Sequence, residues 1–478
     1  LILIVTAQPA AKFPKMSANK LSLRTVGLLA ADATIIYGGI VLALYLRLGL
    51  SGADYQLNEN NGWLKISLAT VVCTLTLYFY DLYDFTVMSN RRELMLRLVQ
   101  ALGIAWAILA LLFYFVPPLL IGRGVSVISV PLVLALLLGW RVAIHYLTGH
   151  PEIGEKIVVV GTGQTARETA EAVWKRRDAG YRIVGFVTEN GIPPQTKING
   201  ISVLGTTDEL ESIIKKEDID RLVIAVRERR GNFPTETLLK MSLAGDVSIE
   251  ECTSFFERVT GQVHIDMLRP SWLIFAGRRK DSRLKHALRE TVHRGLAVIG
   301  LIISLPIAIL TAILIKLESR GTVFYRQERV GKNGKIFKVI KFRSMRSDAE
   351  KDGKPVWATA DDDRVTRVGK IIRKIRIDEI PQFWNIIKGE MSFVGPRPER
   401  PHFVEQLAKE IPFYEHRHLV APGLTGWAQI KYPYGASVED ARQKLQYDLY
   451  YIKNQSLTLD LVIILETIKT VLFGKGGR

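Results

Sequence analysis

Cysteine is almost absent: 478 residues carry two, Cys73 in an apolar run and Cys252 in a more polar region. A disulfide framework is excluded as an organising device, and a reducing compartment suits the chain. Acidic residues are scarce relative to basic ones, 47 against 64, which leaves a formal net charge of +17. That excess calls for an anionic partner: nucleic acid, acidic lipid or a phosphorylated substrate. His402, His416 and His418 have no cysteine at a zinc-ligand spacing. The sequence contains no Tyr-x-x-x-Lys string.

What is abundant is apolar sequence in blocks. Mean hydropathy is +0.14, although 23% of the residues are charged. Membrane segments joined to charged soluble domains account for both, and the length allows two or three domains. Residues 1–21 read as a leader, with Met16 as a candidate start; the stretch is too short and wrongly flanked for a signal peptide. Apolar runs then cover roughly 26–46, 64–80, 94–120 and 125–147. Each suffices to cross a hydrocarbon core of about 30 Å, with some tilt. Asp32 lies inside the first run and is expected to face another helix rather than lipid. Lys12, Lys15, Lys20 and Arg24 precede that run, and Arg91, Arg92 and Arg97 mark the second connection. The charge rule puts the N-terminus in the cytoplasm, and four crossings return the chain there near His150.

Strand and helix signals alternate next. EKIVVVGTGQTARETAEAVWK places an apolar strand at 156–160, then Gly161, Gly163 and Ala166 as GxGxxA, then a helix over about 165–177. A strand at 181–187, a helix near 207–216 and the strand RLVIAV complete a small parallel α/β domain of Rossmann-like type. The glycines suit a dinucleotide pyrophosphate, with Glu189 placed for a ribose. They equally make a tight strand-to-helix turn, and a packing, regulatory or dimerising role competes with nucleotide binding.

A fifth apolar run spans 295–315, long enough to cross. Basic clusters flank it on both sides, from Arg278 to Arg294 and from Lys316 to Lys338. Crossing would put one of them outside, against the charge rule. Pro306 interrupts the run, and Ser304 is placed to bond freed carbonyls. The expectation is a re-entrant helix, bent at Ser304–Pro306, that enters and leaves by one face. Near the C-terminus, LTLDLVIILETIKTVLF carries Asp460, Glu466 and Lys469 and reads as an amphipathic, surface-lying helix.

The C-terminal third holds the chemistry. Asp378 and Glu379 sit between basic residues and Pro381. Taken alone, such a pair most often marks a helix N-terminus. Arg397, between two prolines, suits a bidentate phosphate contact. The basic stretch 367–376 reads mainly as headgroup contact, and Trp384, Trp427 and Tyr447 as packing or interfacial anchors. RQERVG, KFRSM, RIDEIPQFWNIIKGEMSFVGPRPE, PGLTGWAQI and YDLYYIKNQSLTLDL follow in that order. With Ser304–Leu–Pro306, they resemble the catalytic domain of the monotopic polyprenyl-phosphate phosphoglycosyl transferases. The membrane helices and Rossmann-like domain ahead resemble the large bacterial form that starts exopolysaccharide or O-antigen repeat units. WLIF, YPYGAS and FGKGGR resemble the branch found with exopolysaccharide and exosortase loci. One departure stands out: HRGLA places Ala297 where the family carries Asp, which removes an ion pair from the first turn of the membrane helix.

The resemblance implies a membrane protein of α and α/β class. Its parts are a four-helix transmembrane bundle (22–150), the Rossmann-like domain (151–255), a linker (256–291) and a monotopic α/β catalytic domain (292–478) with the Pro-broken re-entrant helix at 292–316. The implied reaction converts a UDP-sugar and polyprenyl (undecaprenyl) phosphate into polyprenyl-diphosphate-sugar and UMP, with Mg²⁺ as cofactor. Asp378 would be the nucleophile. Glu379 would assist and, with Asp378, hold the metal. Arg397, then Lys341 and Arg343, would bind phosphate, and Asp448 would orient or act on the metal indirectly. The work would be done on the cytoplasmic face of the bacterial inner membrane, with membrane lipids as partners and no nucleic acid. Oligomeric state stays open, with a homodimer through the Rossmann-like domain as one arrangement. The alternatives are an NAD-dependent nucleotide-sugar dehydratase or epimerase, which needs the absent Tyr-x-x-x-Lys pair, and a non-catalytic assembly scaffold.

Overall fold

A computed structural model describes residues 23–83, 91–148, 155–176, 180–188, 196–226, 235–244, 247–268, 283–346, 364–433, 435 and 437–472. The leader, Glu189, the WLIF and FGKGGR motifs and parts of YPYGAS lie outside the described residues. The chain divides into two compact units, Leu1–Thr260 and Gly261–Arg478.

The first unit opens with four apolar helices: α1 (Leu23–Asn58), α2 (Gly62–Phe79), α3 (Arg91–Phe115) and α4 (Arg123–Thr148). Helix α1 packs on α2 and α4, α2 on α3, and α3 on α4. Gly49, at φ 69°, breaks helical geometry within α1 and separates the apolar run from a short polar continuation. Asp32 does face another helix. It is fully buried and paired at 2.5 Å with Arg141 of α4, which also donates to the Leu82 carbonyl at 3.0 Å. Arg141 lies within the apolar run 125–147, where only the packing of α1 on α4 reveals its partner.

The α/β part follows the expected alternation: β1 (Glu155–Val160), α5 (Gln164–Lys175), β2 (Tyr181–Thr188), β3 (Lys197–Ile198), β4 (Ile201–Thr206), α6 (Leu210–Glu217), β5 (Arg221–Ile224), α7 (Thr235–Ala244), β6 (Ser248–Glu251) and α8 (Cys252–Thr260). The strand order is β3-β4-β2-β1-β5-β6, parallel except for β3. Ile157 and Val159 face one core and Val158 and Val160 the other, as a strand covered on both sides requires. Two positions of the glycine motif have a packing reason. Gly161 sits at φ +112°, with Ala225 against it, and Ala166 is fully buried.

The second unit is built on α9 (Arg283–Glu318), which begins before residue 292 and is α-helical at every residue through Ser304 and Pro306. Ser304 Oγ donates to the Leu301 carbonyl at 3.3 Å. The remaining elements are β7 (Phe324–Val330), β8 (Ile336–Phe342), α10 (Arg367–Lys374), α11 (Gln382–Lys388), β9 (Ser392–Val394), α12 (Pro401–Glu410), β10 (Gly423–Thr425), α13 (Trp427–Lys431), α14 (Val438–Lys453) and α15 (Leu457–Leu472). Strands β7 and β8 form an antiparallel ribbon, and β9 pairs parallel with β10.

One stripe of α9 faces this domain, at the spacing of a single helix face. Ala297 is fully buried against Val339, Ile386 and Met391. Gly300 lets the Phe383 ring approach to 2.9 Å of where a Cβ would stand. Ala308, Ala312 and Ile315 join the cluster of Phe342, Ile372, Ile377 and Ile380. The opposite face, including Ile299, Ile302, Ile303, Leu310 and Leu314, is exposed and apolar. The helix is held at both ends: Arg289 pairs with Asp460 of α15, and the Glu318 carboxylate accepts from the Arg367 and Val368 amides. The missing charge at Ala297 therefore leaves a packed apolar contact, not a loose turn. Asp460 departs from the surface-lying reading of its helix, because it is buried beneath α9.

Arg141→Met leaves Asp32 buried without its partner, at a cost of about 3–5 kcal/mol. A lower unfolding midpoint of the purified chain in detergent checks this; an unchanged midpoint counts against it.

Candidate active site

Asp378 and Glu379 occupy a single 3-10 turn, Ile377–Glu379, between α10 and α11. Ile377 and Ile380 anchor the turn in the apolar cluster under α9. Arg376 opens it in left-handed backbone geometry, φ 60°, which costs a non-glycine residue on the order of 1 kcal/mol. Asn385, fully buried, ties α11 to β8: its Nδ2 donates to the Lys338 carbonyl at 2.8 Å, and its Oδ1 accepts from the Ile340 amide at 3.1 Å. That stitch holds the acid turn at a fixed distance from Lys341 of β8.

Three cations meet one oxygen. Glu379 Oε1 lies 3.0 Å from Arg397, 3.3 Å from Lys341 and 3.6 Å from Arg376. Both acids are buried, each 8% exposed. Their environments push them apart. Burial raises the Glu379 carboxyl, but Lys341, Arg397 and Arg376 together outweigh it and hold Glu379 well below the ordinary range. Burial raises Asp378, Lys341 opposes, and the neighbouring Glu379 charge adds to the rise. Among the described residues, no hydrogen bond or ion pair falls on the Asp378 carboxylate. The result is one firmly ionised acid locked in charge pairs and one whose oxygens are uncommitted.

Arg397 is set from below and from the side. The Arg417 guanidinium donates to the Arg397 carbonyl at 3.0 Å and to Asp448 at 2.9 Å, and its other arm reaches the Tyr414 hydroxyl at 2.6 Å. Arg329 of β7 holds the next turn through the Pro398 carbonyl at 3.0 Å. Gly395 and Gly423 meet backbone to backbone, closer than any side chain allows. Asp448 thus holds Arg417, which in turn ties down the Arg397 main chain. Arg343 stands apart from this cluster. Its guanidinium caps the end of α9 by donating to the Ser319 and Arg320 carbonyls, and Gly321 makes room for it. The reading of 367–376 as headgroup contact missed Arg376, whose role depends on the turn and leaves no periodic signal. Arg417 also gave no signal; Arg329 and Asn385 lay inside motifs without a stated task. Trp427 and Tyr447 are buried packing residues, while Trp384 is half exposed beside the acid turn.

The metal fit follows from this donor set. Two adjacent carboxylates with cations already on one of them offer little to a bare ion. They suit Mg²⁺ arriving with a diphosphate, since this ion takes one or two carboxylates plus substrate oxygens.

Comparisons with known proteins agree with the geometry. The family described as "Bacterial sugar transferase" matches residues 284–474, and that described as "CoA-binding domain" matches 79–231. An Aeromonas hydrophila protein named UDP-N-acetylgalactosamine-undecaprenyl-phosphate N-acetylgalactosaminephosphotransferase is 44% identical over 51% of this chain and 56% of its own length. The undecaprenyl-phosphate glucose phosphotransferase of Komagataeibacter xylinus is 31% identical over 70% of this chain and 62% of its own length. A Bacillus subtilis (strain 168) protein, named for undecaprenyl-phosphate N-acetylgalactosaminyl 1-phosphate transfer, is 53% identical over 27% of this chain and 73% of its own length. The chain thus spans somewhat over half of the first two relatives.

Asp448→Asn removes the counter-charge from buried Arg417 and loosens the support of Arg397. A loss of about 3 kcal/mol in stability is expected, read as a lower melting temperature; an unshifted melt rules it out. On these motifs and matches, the chain belongs to the bacterial sugar transferase family.

Proposed function

We propose that this chain transfers a sugar 1-phosphate from a UDP-sugar to polyprenyl phosphate, giving polyprenyl-diphosphate-sugar and UMP. The observation that carries the reading is the uncommitted Asp378 carboxylate beside Glu379 and its converging cations. The names of the relatives supply the substrates.

The donor's diphosphate enters against Arg397 and Lys341, which take its negative oxygens. An Asp378 oxygen attacks the β-phosphorus. The bond from that phosphorus to the bridging oxygen breaks, and UMP leaves with the electron pair. The sugar phosphate is then held as an acyl phosphate on Asp378. An oxygen of the polyprenyl phosphate attacks the same phosphorus, and the Asp378 carboxylate departs unchanged. Splitting the displacement lets one site receive a soluble and a lipid substrate in turn. Mg²⁺, held by the diphosphate with Asp378 and Glu379, would supply neutralisation of the developing charge on UMP. Glu379 stays ionised and gathers Lys341, Arg376 and Arg397 around the reacting phosphate.

The membrane reading belongs to the same proposal. Among the described residues, five helices are long and apolar enough to cross, by length and composition. For α9, monotopic insertion is supported by its packing: the stripe from Arg289 to Glu318 rests on one charged domain, and Pro306 lies on the exposed face. A 36-residue helix is about 54 Å long if straight, well beyond a hydrocarbon core. A bend at Ser304–Pro306 within continuous helix lets its apolar face dip into one leaflet. Helices α1–α4 form the four-helix transmembrane bundle of the bacterial inner membrane, with the catalytic domain on the cytoplasmic side.

Asp378→Asn is expected to abolish UMP release from a panel of UDP-sugars with undecaprenyl phosphate and Mg²⁺, while the protein still folds; retained turnover sinks the nucleophile assignment. The attacking group must be ionised and its carboxyl is raised, so activity should climb with pH through a midpoint above the ordinary aspartate value of about 3.9. Glu379→Gln removes a like charge and should move the residual acid limb to lower pH. A limb unmoved by that change argues that Asp378 is not the titrating group.

A further inference from the structure

The site accounts for the side of Arg397 that faces Glu379, but not for how the strand leading to it is fixed. Strand β9 ends at Val394, three residues before Arg397. Beneath it lies a buried polar network that neither proposed step uses. Arg289, near the base of α9, donates from Nε to Asp460 Oδ2 at 2.5 Å and from a terminal nitrogen to Gln455 Oε1 at 3.0 Å. The same guanidinium bonds the Tyr451 hydroxyl and lies over its ring, 5.7 Å from the centroid. Tyr451 OH stands 3.0 Å from the Val394 carbonyl and 2.8 Å from Asp460 Oδ1, so its one proton serves two acceptors. One turn further along α9, His293 Nδ1 meets Ser392 Oγ at 2.6 Å, and its Nε2 is 3.2 Å from Asp460 Oδ2. His293, Tyr451 and Asp460 are each at most 3% exposed.

Burying this much charge at the join of α9, α14 and α15 is costly unless it specifies a geometry. The geometry specified is the join between α9 and β9, at Ser392 and at Val394. From Val394 the path to Arg397 has little slack: the Gly395 amide donates to the Thr425 carbonyl at 2.9 Å and the Pro396 carbonyl accepts from Gly423 at 2.9 Å. A shift of β9 therefore reaches Arg397. Ala297 offers no charge for this purpose, so the anchoring of the helix base falls to Arg289 and His293.

We propose that the buried Arg289–Asp460 pair, with Tyr451 and His293, is a positioning network that fixes β9, and through it Arg397, to the base of the membrane helix. The inference rests on the phosphoglycosyl transferase reading. It adds a fixed depth of the donor-binding arginine relative to the lipid-embedded helix.

Two conservative variants each cut one tie to β9: Tyr451→Phe at Val394 and Ser392→Ala at His293. Both are made in the full chain, in lipid nanodiscs, alone and combined with Arg397→Ala. UMP release is followed with UDP-N-acetylgalactosamine or UDP-glucose, whichever is turned over, and undecaprenyl phosphate. Tyr451→Phe should raise the donor KM about tenfold and Ser392→Ala about threefold, with kcat and the lipid KM nearly unchanged. In the Arg397→Ala background neither should raise the donor KM further, because the network acts through that arginine. Equal increases in both backgrounds, or an unaltered donor KM with only a lower melting temperature, overturn the proposal. If Tyr451→Phe does not fold, the Ser392→Ala cycle decides alone. Retained turnover by Asp378→Asn would instead topple the underlying function, and loss of turnover there with an additive cycle would topple only this inference.

Discussion

Helix α9 presents two unlike faces, and the rest of the second unit is arranged around that constraint. One stripe is small or polar: Ala297, Gly300, Ser304, Ala308, Thr311. Only such residues let the backbone of α9 lie close to Phe383, Phe342 and Ile372. The other face is large and apolar and has no protein partner among the described residues. Because Ile377 and Ile380 pack into the same stripe, the acid turn between them takes its position from the helix. On the proposed reading, the depth of the nucleophile relative to the lipid phosphate is then a property of side-chain packing.

Electrostatics divides the labour between neighbouring acids. Asp378 and Glu379 share a turn and a burial, yet one carboxylate is ion-paired with Lys341, Arg376 and Arg397 while the other makes no ion pair among the described residues. A difference of one position along a 3-10 turn points the side chains in different directions, and burial magnifies what each meets. The strained Arg376 belongs to this economy of space, since its left-handed backbone turns its guanidinium toward Glu379. Arg417 and Asp448 do the corresponding work behind Arg397. Their ion pair is fully enclosed, so its value lies in orientation more than in stability.

The first unit repeats one theme: charge or glycine where packing demands it. Asp32 and Arg141 satisfy each other inside an apolar bundle, as polar groups removed from water must. In the GxGxxA turn, Gly161 is explained by the approach of Ala225 and Ala166 by its burial.

Periodicity and composition determined much of this protein. Apolar runs marked the long helices, and alternating strand and helix signals marked the parallel sheet. The motifs around Asp378, Lys341 and Arg397 were visible as strings because each is local. What only the tertiary structure decided was which distant groups meet. Arg141 reaches Asp32, Arg417 reaches the Arg397 carbonyl, Arg343 caps the end of α9, and Asp460 lies buried under α9. Pairings of this kind depend on chain segments brought together by packing, and a charged side chain carries no mark along the sequence of whether its partner will be water or a residue far away.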